Sequence, residues 1–199
     1  MKNKLLRTFV GITAPSEVGN IKQMLISTME NDKADIRWVK HSSLHLTVKF
    51  LGYTPEGDIT SLCSDIDNLV KKHHPFNLSV SGTGCFPNTM KPSVLYLDVS
   101  GDHKPLSLIV NEVEELFSNR GYPKMKDTFI PHITLARIKY PQKFTPDITS
   151  FLNSSYDGID FPVNHLQFFS SEILPEGVFY NLLGTFPLAG IQLNKELLK

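Results

Sequence analysis

The sequence predicts an α+β fold in which two similar lobes face each other across a central cleft, about a pseudo-twofold axis. Each half of the chain has a helical segment between strands, and each half carries one strand with the pattern His, apolar, Thr, apolar. We expect each lobe to be an antiparallel sheet with helices on its outer face. Because no stretch rich in Pro, Gly and Ser separates the halves, residues 1–199 are expected to form a single two-lobed domain.

The first half of the chain is expected to contain three strands and two helices. An apolar, β-favouring stretch at 5–13 predicts an interior strand, and apolar residues with helical spacing at 16–30 predict a helix. A short strand at 36–39 precedes the first motif strand at 44–52. A second amphipathic helix is expected at 59–70.

The second half is expected to contain five strands and two helices. In chain order these are strands at 76–81 and 92–99 with a loop at 82–88 between them, a helix at 106–120, the second motif strand at 129–137, a short helix at 147–152, and closing strands at 161–170 and 179–188 joined by a turn at 174–177. The long helix is expected to end at Gly121, because glycine favours the left-handed conformation that follows a helix.

The two motifs are His-Leu-Thr-Val at 45–48 and His-Ile-Thr-Leu at 132–135. Side chains two apart on a strand share a face, so each histidine points the same way as its threonine. Two such strands side by side would bring two imidazoles and two hydroxyls to one cleft. One imidazole can then act as general base and the other as general acid, while the hydroxyls donate hydrogen bonds to phosphoryl oxygens.

Strict alternation also assigns the neighbours of the first motif. It places Leu44, Leu46, Val48 and Phe50 on a buried face, and it places Lys49 with the histidine and the threonine on the open face. A lysine there either faces the cleft or is simply exposed.

Structural roles are the alternative for each motif. A single His-x-Thr in a strand is common, and its histidine is often half-buried and hydrogen-bonded to the backbone. A metal site is not expected, because two histidines are too few for a closed zinc site. His41, which stands four residues before His45, has a helical rather than a strand spacing. We therefore expect no metal and no cofactor.

The composition limits the class of partner. Hydrophobic residues make up 41% and charged residues 20%, and 20 basic side chains balance 20 acidic ones. A protein that tracks a long nucleic acid usually has a basic excess, so an RNA substrate would be held only near its end. Two cysteines without metal spacing, and no apolar stretch of about 18 residues, favour a cytoplasmic protein without a membrane span. A monomer is expected.

The motifs resemble those of the two-histidine (2H) phosphoesterase superfamily, and within it the RNA 2′,3′-cyclic phosphodiesterases, also called 2′-5′ RNA ligases. Similar residues stand along most of the chain, at 7–9, 37–39, 45–52, 86–87, 131–137, 169–170 and 180–188. One departure is Ile130, where this family often has an arginine two residues before the histidine. The resemblance implies hydrolysis of a terminal 2′,3′-cyclic phosphate to a 2′-phosphate, without a metal.

The resemblance also implies residue roles. His45 would donate a proton to the leaving oxygen, and His132 would be the base that activates water. Thr47 and Thr134 would hold the non-bridging phosphate oxygens. On an unbroken strand Arg137 has the opposite parity to His132, so it reaches the phosphate only if the strand bends or ends nearby.

Other residues receive secondary assignments. Phe9 and Tyr180 are candidates for contact with a base or sugar, with core packing as the alternative for Phe9. His73, His74 and His103 are expected at the surface near helix ends, and His165 is expected to be structural.

Three functions remain open from the sequence. The first is a metal-independent phosphodiesterase for RNA ends, whose groups also serve the reverse 2′-5′ ligation. The second is a phosphodiesterase for a small cyclic nucleotide or a cyclic ADP-ribose phosphate. The third is a non-catalytic RNA-end binder, which the presence of a matched pair of histidines disfavours.

Overall fold

The computed structural model describes residues 4–29, 34–174 and 177–190. The strands are β1 (Leu5–Thr13), β2 (Ile36–Trp38), β3 (His45–Pro55), β4 (Phe76–Phe86), β5 (Val94–Gly101), β6 (His132–Ile138), β7 (Ile159–Val163), β8 (His165–Leu174) and β9 (Gly177–Pro187). The helices are α1 (Val18–Ser27), α2 (Ile59–Val70), α3 (His103–Asn119) and α4 (Thr149–Leu152). Within the described residues, no helix is both long enough and apolar enough to cross a membrane.

The strands form one antiparallel sheet in the order β7-β4-β5-β6-β3-β1-β8-β9, and β2 pairs with β6 beside this path. The order divides into two lobes of four strands, but these are not the two halves of the chain: β1 and β3 share one lobe with β8 and β9, and β4 to β7 form the other. They join where β3 pairs with β6, through the single registered pair Leu46 and Ile133. The predicted α+β fold with two similar antiparallel halves is confirmed, and its two motif strands are neighbours at the junction.

The hydrophobic core lies between the helices and one face of the sheet. α2 contacts β8 and β9, α3 contacts β3, and the two helices contact each other. The buried stripe of α3 has the predicted helical spacing, and its members are Leu106, Ile109, Val110, Val113 and Phe117. Each such side chain contributes roughly 1.5–3 kcal/mol by its burial. The opposite face of the sheet is left free for the cleft.

Both motif strands contain a β-bulge, which strict alternation does not anticipate. In the β1–β3 pair Gly11 faces Thr47 but Val10 faces Lys49, so Val48 is the extra residue. A bulge reverses the face of the sheet to which the following side chains point. Lys49 therefore points to the buried face and Phe50 to the cleft. β6 contains a bulge of the same kind, with Leu135 as the extra residue.

The expectation that Lys49 faces the cleft or is exposed is therefore wrong. Its side chain is only 3% exposed, and Nζ donates to Glu114 Oε2 at 2.7 Å and to the carbonyl oxygen of Pro123 at 2.8 Å. Phe50, expected in the core, is 48% exposed and lies on the cleft side. The ion pair joins β3 to α3 and to the segment that leads into β6.

Two further element predictions need correction. The segment at 82–88, predicted as a loop, is largely strand, since β4 continues to Phe86. Gly84 faces Tyr96 on β5, and a Cβ at Gly84 would lie 2.3 Å from Cζ of that ring, so the glycine makes room for an aromatic side chain. The strand predicted at 161–170 is two strands, β7 and β8, which meet at Asn164.

Helix bounds and one histidine also differ. The predicted helices at 16–30 and 147–152 are shorter, since α1 and α4 span only ten and four residues. Gly121 does follow α3, with φ of 85°. His73 is buried rather than exposed, because its Nε2 lies 3.0 Å from Glu112 Oε2 on α3. The predicted turn at 174–177 lies mostly outside the described residues.

Candidate active site

The two motifs meet at the junction between the lobes. Because Leu46 and Ile133 face each other in an antiparallel pair, the next positions place His45 beside Thr134 and Thr47 beside His132. The four polar side chains thus alternate between the strands on one face. This is the convergence that the paired motifs predict, and it lies on the pseudo-twofold axis.

The two imidazoles are held in the same way. Nδ1 of His45 lies 2.7 Å from the carbonyl oxygen of Ser43, and Nδ1 of His132 lies 2.7 Å from the carbonyl oxygen of Ile130. A carbonyl oxygen only accepts, so each Nδ1 carries the hydrogen. The other nitrogen, Nε2, is left to hold or release a proton at the cleft.

Aromatic rings fix the orientation of His45. Phe9 is stacked on it with ring centroids 4.6 Å apart, and Tyr180 meets it edge-on at 5.1 Å. Phe9 is itself stacked on Phe169. Phe9 is 3% exposed, so it packs in the interior, which was the alternative weighed for it from the sequence, and it also stacks on the motif histidine.

His132 has its own aromatic neighbours. The Phe86 ring meets it edge-on at 5.1 Å, and the Tyr96 ring is tilted against it at 5.3 Å. Asp98 faces His132 across the β5–β6 pair. Burial raises the pKa of the Asp98 carboxyl, while the charge of His132 lowers it. Tyr96 and Asp98 stand in an ordinary alternating strand pattern, which gives no sign of the adjacent histidine.

The cleft favours the neutral form of His45. Its pKa is lowered chiefly by burial. The hydrogen bond to Ser43 acts in the opposite direction, and the charges of Arg137 and His132 lower the pKa further. The charge of His132 thus acts on His45, which agrees with the two motif histidines lying close together in the cleft.

Arg137 reaches the cleft because β6 is bulged. Leu95 faces Ala136 but Tyr96 faces Thr134, which leaves Leu135 as the extra residue. Arg137 then shares the face of His132 and Thr134, and its charge acts on both His45 and Tyr180. The sequence allowed Arg137 to reach the phosphate only if the strand bends or ends nearby, and the bulge in β6 is such an irregularity.

The threonine hydroxyls are available to a ligand. Thr47 and Thr134 are half-buried, and within the described part of the chain neither hydroxyl has a hydrogen-bond partner. Gly11 lies directly opposite Thr47. A Cβ at Gly11 would lie 2.9 Å from the carbonyl oxygen of Leu46, so only glycine allows β1 to approach the motif strand this closely.

A groove of about 890 Å³ reaches the second motif histidine, His132. Thr47 and His132 line one end, and its apolar walls include Phe50, Phe86 and Phe129. Lys124 also lines the groove, next to Pro123, whose carbonyl oxygen accepts the hydrogen bond from Lys49. Among the described side chains, no group of three or more His, Cys, Asp or Glu residues is placed to hold a metal ion.

Comparison with known proteins identifies relatives of the whole arrangement. The family model described as LigT like phosphoesterase matches residues 12–96 and again residues 97–180, and each match contains one of the two His-x-Thr motifs. The protein named RNA 2′,3′-cyclic phosphodiesterase from Aquifex aeolicus is 29% identical over 189 residues, which cover 94% of this chain and 100% of that protein. The protein of the same name from Thermus thermophilus is 30% identical over 191 residues, with 93% and 91% covered.

The fold has a solved counterpart. The crystal structure of the Thermus thermophilus protein TT0787 superposes with a TM-score of 0.72 at 28% identity, over 94% of this chain and 100% of that one. Both motif strands lie in the regions matched by the family model.

Proposed function

The chain belongs to the LigT-like phosphoesterase family, and from this membership together with the site we propose that it hydrolyses a 2′,3′-cyclic phosphate at the end of RNA to a 2′-phosphate. The observation that carries the proposal is the pair of imidazoles whose Nδ1 atoms are committed to backbone carbonyls. Both Nε2 atoms are thereby left for proton transfer on one face of the sheet.

In the proposed reaction, water attacks the phosphorus and gives its proton to Nε2 of His132. The P–O3′ bond breaks, and the 3′ oxygen takes a proton from Nε2 of His45. The product is a 2′-phosphomonoester with a free 3′ hydroxyl. A lowered pKa makes the His45 imidazolium a stronger acid toward the leaving oxygen, and a bound phosphate anion favours its protonated form.

The remaining polar groups would stabilise charge on the phosphate. The hydroxyls of Thr47 and Thr134, which have no partner among the described residues, can donate to the non-bridging oxygens, and Arg137 supplies a cation beside them. The apolar groove next to Thr47 and His132 would receive the terminal nucleoside. The proposed substrate is therefore an RNA end. Each lobe would contribute one histidine and one threonine to the site.

A direct assay tests this function. A short RNA ending in a 2′,3′-cyclic phosphate is incubated with the protein, and the product is identified by phosphatase sensitivity and by comparison with authentic 2′- and 3′-phosphorylated standards. We expect the 2′-phosphate alone. Formation of the 3′-phosphate would contradict the assigned bond cleavage. Turnover of a 3′,5′-cyclic nucleotide or a cyclic ADP-ribose phosphate, with no turnover of the RNA, would favour the small-substrate alternative instead.

A further inference from the structure

Arg7 lies in the cleft but outside the motifs. It stands two residues before Phe9 on β1, so it shares the cleft face with that ring. Arg7 faces Ser171 on β8, and Ser171 in turn faces Tyr180 on β9. Burial raises the pKa of Tyr180, while the charges of Arg137 and Arg7 both lower it, which places the two cations around the same tyrosine.

The Arg7 guanidinium has no counter-ion within the described part of the chain. Its carbon lies 5.2 Å from the centroid of the Phe50 ring, and the side chain is half-buried. By contrast, Arg37 pairs with Asp35 and Arg120 pairs with Asp65. A partly desolvated cation without a carboxylate is costly, and a binding site for an anion explains its retention.

The position of Arg7 separates it from the reacting phosphate. Thr47 faces Gly11, and Arg7 stands four residues from Gly11 on β1. The guanidinium, however, lies over the ring of Phe50, whose backbone faces Phe9, two residues from Gly11. Two strand residues span about 7 Å. That is about one nucleotide along an extended RNA backbone, so an anion at Arg7 would be the neighbour of the phosphate at Thr47.

We propose that Arg7 binds the phosphate on the 5′ side of the terminal nucleotide, and that this contact makes the protein prefer an RNA end to a free nucleoside 2′,3′-cyclic phosphate. The inference rests on the proposed function for the identity of the terminal group. The guanidinium lies over the Phe50 ring, and its N–H groups can donate to the oxygens of a phosphodiester. Arg7 is a specificity residue in this scheme and does not touch the reacting atoms.

Three substrates separate the contributions. Adenosine 2′,3′-cyclic phosphate has no 5′ phosphate, its 5′-phosphorylated form has a monoester there, and the dinucleotide ApA with a 2′,3′-cyclic end has the internal diester. The kcat/KM of each is measured for the wild type, Arg7→Gln, Arg7→Lys and Arg120→Gln. Arg120 is the matched control, because it lies on the helix side and pairs with Asp65.

We expect Arg7→Gln to lower kcat/KM on the dinucleotide roughly ten- to hundredfold, the size of one lost charged hydrogen bond. The unphosphorylated mononucleotide should change less than about twofold on the same scale. Arg7→Lys should retain part of the preference, and Arg120→Gln should retain all of it. The ratio of kcat/KM on the dinucleotide to kcat/KM on the unphosphorylated mononucleotide, measured with one preparation, does not depend on the fraction of the protein that is folded.

Two results would overturn the proposal. One is an equal loss on the mononucleotide and the dinucleotide, which would make Arg7 a general cleft residue. The other is a loss of kcat/KM confined to the 5′-phosphorylated mononucleotide, which would exclude the internal diester as the group that Arg7 binds. Calorimetry of the 2′-phosphorylated products gives the corresponding ratio of binding affinities without turnover. Binding of the internal phosphate by Arg7 can therefore be tested even if the proposed hydrolysis does not occur.

Discussion

The Arg137 guanidinium on β6 acts on the His45 imidazole on β3, so that one lobe adjusts the ionisation of the histidine in the other. Burial is the larger cause of the lowered pKa of His45, and Arg137 adds to it. A cation disfavours a second positive charge nearby, so its removal must raise the histidine pKa. We expect Arg137→Met to raise the pKa of His45 in the free protein.

Nuclear magnetic resonance titration of the histidine ring protons measures this directly. His165 is an internal control, because its pKa is lowered by burial alone and should not move. In kcat/KM, both limbs of a bell-shaped pH profile belong to the histidine pair, and the profile should shift to higher pH with the variant. An unchanged His45 pKa would place Arg137 away from the imidazole.

The buried ion pair between Lys49 and Glu114 should be important for stability. Burial opposes ionisation of Glu114, but hydrogen bonds from Lys49, the Met125 N–H and Ser118 hold the pKa of its carboxyl below the ordinary value. Glu114→Gln keeps the shape and leaves the Lys49 ammonium buried without a counter-charge. We expect a loss of roughly 3 kcal/mol in the free energy of unfolding in urea at pH 7.

The dependence on pH is set by the direction of that shift. A carboxyl whose folded pKa is depressed adds stability above its unfolded value, and this stability is lost as the pH falls through the folded value. The difference between wild type and Glu114→Gln should therefore be full at pH 7 and shrink below the ordinary glutamate pKa of 4.5. The control is Asp67→Asn, in the exposed pair with Lys71, which should cost less than about 0.5 kcal/mol.

Alternation along the strands predicted the faces of the motif residues but not those of the residues after each motif. His45 and Thr47 could be placed from period 2 alone, because no irregularity lies between them. The bulge at Val48 reversed the faces of Lys49 and Phe50, and the bulge at Leu135 brought Arg137 into the cleft. A bulge depends on the register between two strands, and a single sequence does not specify that register.

Contacts between distant strands were equally out of reach. Asp98 and Arg7 both stand in ordinary strand patterns, and their importance arises only when β5 pairs with β6 and β1 pairs with β8. Arg7 had one signal, since it belongs to a short segment that resembles the family. The aromatic rings around the histidines were predictable only in part, through Phe9 and Tyr180.

Activity should survive chelation of divalent metal. Two histidines supply too few ligands for a closed zinc site, and among the described residues no group of three or more His, Cys, Asp or Glu side chains is placed to hold a metal ion. The protein is incubated with EDTA, passed into metal-free buffer and assayed on the cyclic RNA end. We expect the rate to be unchanged. Abolished activity that zinc or manganese restores would contradict a mechanism carried by the histidines alone.

Removal of either motif imidazole should slow hydrolysis roughly 10²–10⁴-fold, the range for loss of a general acid or base. The double variant His45→Ala with His132→Ala should lose much less than the product of the two single losses, because the groups act in one step. His74→Ala is the matched control, since that histidine is exposed. These losses establish participation, but they do not show which imidazole is the acid.

A change of leaving group separates the two roles. A thiolate leaves far more readily than an alkoxide and needs little protonation, so sulfur in place of the 3′ bridging oxygen makes the general acid dispensable. On that substrate we expect His45→Ala to regain most of the wild-type rate, because His45 is the proposed donor. His132→Ala should remain slow, since its attacking water still lacks a base. The reverse pattern would exchange the two assignments, and rescue of neither variant would mean that both imidazoles position the phosphate without moving protons.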